Sequence, residues 1–388
     1  MQDTFARRKW IAAIVLPLVT LCLAASPAGA GENASISIVG GERTSIRDWP
    51  WQVALLRNHD QNPNLTGTER MICSGTILAP RIVLTAGHCI DYIDRNDVGL
   101  RNTEVVAGRT NLDRESSGTV APVEDDVRPL GKSGKPRNFL KDASWDIALL
   151  ELASPLDQPA IKLLGADEAH LANPGRVVHM SGWGTRGTSR TGGPVNRLRH
   201  AVTAIQPDRA CRGRFDKRPG KPYGPATQMC VGDPDTQSIP CVGDSGGPAV
   251  IETSDGYRLV GVGSLGLLHG CFPWDPLVNA DVTRRRTRDW IAGIVRDRGG
   301  VDPVGSGATA GPLPEYCRLP RIEGRKLPAV RKSIRRGGCM VGSIRFKTIR
   351  RPGSHPDLQN TVIGGTGASF TLRDPENPVD LVVARRIP

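Results

Sequence analysis

From Ile38 to the end of the third hundred residues, short apolar runs alternate with Gly, Pro and Asp. The runs Trp51 to Leu56, Ile82 to Thr85, Val105 to Ala107, Ile147 to Leu152, Val177 to Ser181 and Leu259 to Leu265 each have strand length. Trp290, Ile291, Ile294 and Val295 instead repeat at helical spacing and predict a short amphipathic helix at the close of this region. The pattern predicts an all-β domain with one terminal helix. Periodicity alone does not separate a sandwich from barrels.

Both flanks differ. At the front, Arg7, Arg8 and Lys9 precede an apolar run, Trp10 to Ala25, followed by the small residues Ala28 and Ala30, which predicts an export signal over residues 1–30. Its removal leaves no membrane anchor, because no apolar run approaches the ~20 residues a bilayer helix needs. Beyond the helix, Arg298 to Pro314 has no apolar period and is crowded with Gly and Pro, so residues 298–315 read as a flexible linker. Residues 316–388 resume a pattern: Leu327, Val330 and Ile334 share one helix face, and Val341 to Phe346 and Val379 to Val383 read as strands, giving a small α+β module.

Charge sharpens that division. The chain of 388 residues has a net charge of +12, and residues 301–388 carry fifteen basic against seven acidic side chains. The basic character therefore lies mainly in the C-terminal part. Cys317 to Arg351 holds twelve basic residues and one acid, a surface for anionic polymers. Aromatics for base stacking are nearly absent there, so nucleic acid is not expected.

Of nine cysteines, Cys22 lies in the signal, which leaves eight: Cys73, Cys89, Cys211, Cys230, Cys241, Cys271, Cys317 and Cys339. An even count in an exported chain predicts disulfides. Without a tight Cys-x-x-Cys pair no metal site is expected, and no cofactor motif occurs.

Three strings carry candidate chemistry. Thr85-Ala86-Gly87-His88-Cys89 supplies an imidazole, Asp146-Ile147-Ala148-Leu149-Leu150 a carboxylate, and Cys241-Val242-Gly243-Asp244-Ser245-Gly246-Gly247-Pro248 a hydroxyl among glycines. A serine hydroxyl is a weak nucleophile near neutral pH. It needs a base, here His88, and a third group that fixes the base's tautomer, here Asp146. The glycines let backbone amides converge on a developing oxyanion, with Gly243 and Ser245 as donors.

In type and chain order these residues resemble the chymotrypsin/trypsin-like serine proteases. The likeness runs from Ile38 to about Val295 and includes Ile38-Val39-Gly40-Gly41, Trp49-Pro50-Trp51-Gln52-Val53, Cys73-Ser74-Gly75-Thr76, Ser181-Gly182-Trp183-Gly184 and Trp290-Ile291. The resemblance implies two six-stranded antiparallel β-barrels with a C-terminal helix over residues 38–297 and a catalytic cleft between them. It also implies pairing of Cys73 with Cys89, Cys211 with Cys230 and Cys241 with Cys271, and activation by a new amino terminus at Ile38 that pairs with Asp244. Residues 31–37 are then a short pro-segment. Ser37, not Arg or Lys, precedes the activation bond, so a trypsin-like activator is not expected to cut there.

By the same resemblance Ile239, Ser264, Gly266 and Leu277 form the specificity pocket, with Pro276-Leu277-Val278-Asn279 similar to the family's Pro-Gly-Val-Tyr. Ile239 at the base offers no charge to Arg or Lys, and Leu277 narrows the wall, so the expectation is cleavage after small apolar residues. The segment 316–388, with Cys317 and Cys339, resembles PASTA modules, which implies affinity for peptidoglycan or an anionic cell-wall polymer. The expected whole is a secreted, cell-wall-associated serine endopeptidase acting on proteins or peptides. The alternative is a catalytically silent protease-like binding protein.

Overall fold

The computed structural model describes residues 41–311 except 62, 186–192, 217–221, 233–238, 267–270 and 273–274, together with 317–318, 326–336, 341–348, 362–365, 372–373 and 379–385. The expected signal, the pro-segment, Ile38 and Cys339 lie outside the described residues.

Six strands make the first barrel: β1 (Gln52–Arg57), β2 (Met71–Ala79), β3 (Ile82–Thr85), β4 (Thr103–Ala107), β5 (Thr119–Val127) and β6 (Ala148–Leu152). They close in the order β1-β2-β3-β6-β5-β4, every pair antiparallel. Closure explains the sequence pattern, since a closed barrel has no free edge and fills its interior from inward-facing side chains. Val53, Leu55, Ile77, Leu84, Val105 and Leu150 are fully buried there.

The second sheet contains β7 (Val177–Gly182), β8 (Arg199–Ala204), β9 (Gln228–Val231), β10 (Pro248–Thr253), β11 (Gly256–Leu265) and β12 (Leu277–Asp281). Its order is β8-β7-β10-β11-β12-β9, with two-residue strands at Glu42–Arg43 beside β8 and at Lys162–Leu163 beside β11. The two edges meet: Ile205 bridges Val231, and the Gly232 amide donates to Ala204 at 3.0 Å. The all-β double-barrel architecture expected from the sequence is thus the observed one, with the helix Arg285–Gly299 following β12. Among the described residues, no helix is long and apolar enough to cross a membrane.

Three disulfides pair Cys73 with Cys89, Cys211 with Cys230 and Cys241 with Cys271, as the resemblance implied. The first closes a separation of 16 residues, for which loop-closure entropy gives about 3 kcal/mol.

The stretch expected to be a flexible linker is ordered from 299 to 311 and packs on the second barrel. The Leu163 amide donates to Pro303 at 2.8 Å, Gly305 returns a bond to Leu163 at 2.9 Å, and the Ser254 amide donates to Thr309 at 3.1 Å. Glu168, fully buried, accepts from the amides of Gly165 at 2.8 Å and Ala308 at 2.9 Å and from Arg258 at 3.3 Å. Gly and Pro lack the side chains that give an apolar period, yet their backbone amides and carbonyls bond as any others do. Composition therefore misread a strap as a tether.

Further on, the helix Leu327–Arg336 buries Val330 and Ile334. It precedes a three-stranded sheet in which Val379–Arg385 lies between Val341–Thr348, parallel to it, and Val362–Gly365, antiparallel.

Candidate active site

The site is assembled from both barrels. Strand β3 ends at Thr85, and the next turn opens the helix Gly87–Arg95, which carries His88 on its first turn and is tied to β2 by the Cys73–Cys89 disulfide. Asp146 stands at the head of β6. Its predecessor Trp145 has φ +60°, a conformation unusual for a bulky residue and costing ~1 kcal/mol or more. The Trp145 side chain holds that backbone in place: its indole N–H donates to Thr287 at 2.9 Å, and the Arg286 guanidinium lies 4.4 Å from the ring centre. The C-terminal helix thereby sets how Asp146 enters the cleft.

Asp146 is 1% exposed and fully engaged. Oδ2 lies 2.7 Å from His88 Nδ1 and accepts from the Ser264 hydroxyl at 2.6 Å, while Oδ1 accepts from the His88 amide at 2.8 Å. Burial pushes its carboxyl up, but the imidazole charge and these hydrogen bonds outweigh burial and hold it below the ordinary carboxylate value. An ionised Asp146 on Nδ1 fixes the tautomer in which His88 Nε2 is the unprotonated, basic nitrogen.

Ser245 faces the same cleft as His88, on a loop bonded to both barrels. The Ser74 amide of β2 donates to the Ser245 carbonyl at 2.7 Å, Gly246 donates to Gly263 at 2.8 Å, and Gly263 returns a bond to Gly247 at 2.9 Å. Two glycines are required in this loop. Gly243 has φ +99°, and a β-carbon there would come within 3.0 Å of the Gly184 backbone; at Gly246, φ +82°, it would strike the Ser74 carbonyl at 2.3 Å. The close approach at Gly246 presses the loop onto β2.

Asp244, between them, turns inward. Its carboxylate accepts from Gly184 at 2.7 Å and Cys241 at 2.9 Å and forms no ion pair among the described residues. Burial pushes it up to about 6 despite those two bonds.

The cleft encloses about 500 Å³ and is lined by His88, Ser245, Met180, Leu277 and Asn279 together with the Cys241–Cys271 bridge. Of the expected pocket residues, Ser264, Gly266 and Leu277 line it. Ile239 does not: it is 2% exposed and packs in the second barrel's core, leaving Pro240 and Cys241 as the wall. Apolar packing gains more from a buried isoleucine than an open base would. Asp275, whose entry would have favoured basic substrates, is buried 3.6 Å from Arg214 and is not among the lining residues. Two contributors were not singled out from the sequence: Trp145, through its backbone, and Asn279, through its polar end. Cys73, His88 and Cys89 converge closely enough for a metal, but both sulfurs are spent in a disulfide.

A family model for trypsin matches residues 38–291. The chain belongs to the trypsin family of serine proteases. It is a serine endopeptidase, a hydrolase of protein or peptide substrates. Its relatives include a trypsin of Saccharopolyspora erythraea, 32% identical over 63% of this chain and 93% of the relative, and the mouse protein named Granzyme B(G,H), 32% identical over 61% of this chain and 83% of the relative.

Proposed function

We propose that this trypsin-family member is secreted and cleaves after uncharged residues by an acyl-enzyme mechanism at Ser245. The observation that carries the reading is the joint placement of His88, held by a buried and ionised Asp146, and Ser245 on the Gly243 loop in one cleft. His88 Nε2 takes the Ser245 proton as Oγ adds to the scissile carbonyl. The amides of Gly243 and Ser245 receive the oxyanion, and the imidazolium returns its proton to the leaving amine. Water then repeats the cycle on the ester.

Activation follows from Asp244. A buried carboxylate without a cation is costly, and the α-ammonium of a chain starting at Ile38 is the cation the family supplies. Ser37 leaves the cut before Ile38 to a protease that accepts small residues, the favoured reading, or to signal peptidase acting at Ser35-Ile36-Ser37. The three disulfides support an oxidising, extracellular setting. The basic segment from Cys317 to Arg351 supports a module that holds the enzyme on an anionic wall polymer.

The test uses protein with Ile38 as its amino terminus, treated with a fluorophosphonate and weighed intact. One adduct on the wild type and none on Ser245→Ala is the expected result. No adduct on folded wild type would leave a silent protease-like binding protein.

A further inference from the structure

The cleft beside Ser245 contains a polar side chain that the described fold does not use. Asn279, on β12, is 1% exposed, and neither its carboxamide nitrogen nor its oxygen has a hydrogen-bond partner among the described residues. Its backbone is fixed in the sheet, in register with Gly263 on one side and Met229 on the other. Asn279 nevertheless belongs to the residues that line the cleft. A buried amide with both ends unpaired is destabilising, and native folds seldom keep one without a use. Kept at the wall of a substrate cleft, it has a use if the substrate completes it.

We propose that Asn279 reads the residue before the scissile bond, and that this residue carries a primary carboxamide, glutamine first and asparagine after it. The inference rests on the endopeptidase reading above and narrows it. A carboxamide presents N–H donors and a carbonyl acceptor in one plane, and a second carboxamide satisfies both together. A carboxylate would pair with the donors alone, and among the described lining residues no cationic side chain would compensate its charge beyond His88, which is committed to Asp146. Among the described residues ammonium or guanidinium groups meet no free carboxylate, because the oxygens of Asp244 accept from Gly184 and Cys241. An apolar end would leave both atoms of Asn279 unpaired. Leu277, Met180 and the Cys241–Cys271 bridge offer apolar surface for the methylenes of the stem, which favours glutamine over the shorter asparagine. Small apolar residues, expected when Ile239 was placed at the base, fill the cleft without using Asn279.

Sites built to hydrogen-bond a substrate group reject analogues lacking it by as much as about ten-thousand-fold. With an adaptable carboxamide as reader, about ten- to hundred-fold is the expected scale. The test compares peptides that differ only before the scissile bond, bearing Gln, its apolar near-isostere Met, its charged near-isostere Glu, or Ala. Cleavage by the Ile38-started wild type should favour Gln over each of the others in kcat/KM, and Asn279→Leu should bring the Gln to Met ratio to one or below. Met or Ala cleaved as fast as Gln, or an unchanged ratio in Asn279→Leu, would overturn the proposal. A second arm needs no catalysis: calorimetry on Ser245→Ala protein with product peptides ending in Gln or Met. Tighter binding of the Gln peptide supports the assignment even if fluorophosphonate labelling of the wild type fails and the endopeptidase reading falls. Equal binding with intact labelling sinks the assignment alone.

Discussion

At the scale of single residues, the site depends on Asp146 being charged while buried. Asp146→Asn keeps the shape but offers an amide where Nδ1–H requires an acceptor, so His88 turns to the wrong tautomer. The expected loss in kcat is about ten-thousand-fold at neutral pH with KM little changed, read from steady-state kinetics on a peptide substrate. His88, Asp146 and Ser245 were legible in the sequence because their chemistry demands particular residue types inside strings such as Gly243-Asp244-Ser245-Gly246. Trp145 and Asn279 were not. The first acts through a backbone angle and the second through missing partners, and neither property belongs to a residue type. Ile239 was put at the pocket base by its position in the family pattern, which places a residue along the chain and does not tell whether its side chain faces the cleft or the core.

At the scale of elements, the pairing of β7 with β8 brings together two histidines that no motif marks. His179 Nδ1 lies 3.0 Å from His200 Nε2, the rings are stacked, and Trp49 stacks on His200 with ring centres 4.6 Å apart. Tyr257 closes the cluster. Burial, then His200 and Arg176, lowers His179 to about 3, and burial lowers His200 to about 4. Since both fall below the ordinary 6.5, the unfolded chain binds protons that the folded chain refuses. Their contribution is therefore present above about pH 6.5 and is lost as pH falls toward 4. Asp244, raised to about 6, acts with the opposite sign in part of that window, so the informative comparison is variant against wild type. His200→Gln should lose less stability than wild type between pH 7 and 4.5, by on the order of 2 kcal/mol, in denaturant melts at the two pH values. Of the two strands only β7 was read, as the apolar run Val177 to Ser181, and β8 and its partner were not: that Val202 pairs with His179 is decided by register across the sheet.

At the scale of the whole molecule, the matched family segment ends at 291 while the hydrogen-bonded unit continues to 311. A chain ending at residue 311 should keep the stability and peptidase activity of the full chain, since the candidate catalytic groups and the strap's bonds all lie before residue 312. One ending at residue 300 removes the partners of Leu163 and the Ala308 amide from the buried Glu168. Its stability should fall by about 3 kcal/mol, measured by thermal unfolding. Gly and Pro hid this strap from sequence reading because it meets the second barrel through its own main-chain amides and carbonyls. The strap also bears on the order of events at the ribosome. Polypeptide emerges amino end first, so Glu168 and Arg258 exist long before Ala308 does, and the second barrel waits for a segment made after its last strand and its closing helix. A nascent chain stopped short of that point carries an under-bonded carboxylate in its interior, frays more readily, and is digested sooner. Synthesis past residue 311 thus becomes a quality check on a potentially destructive enzyme.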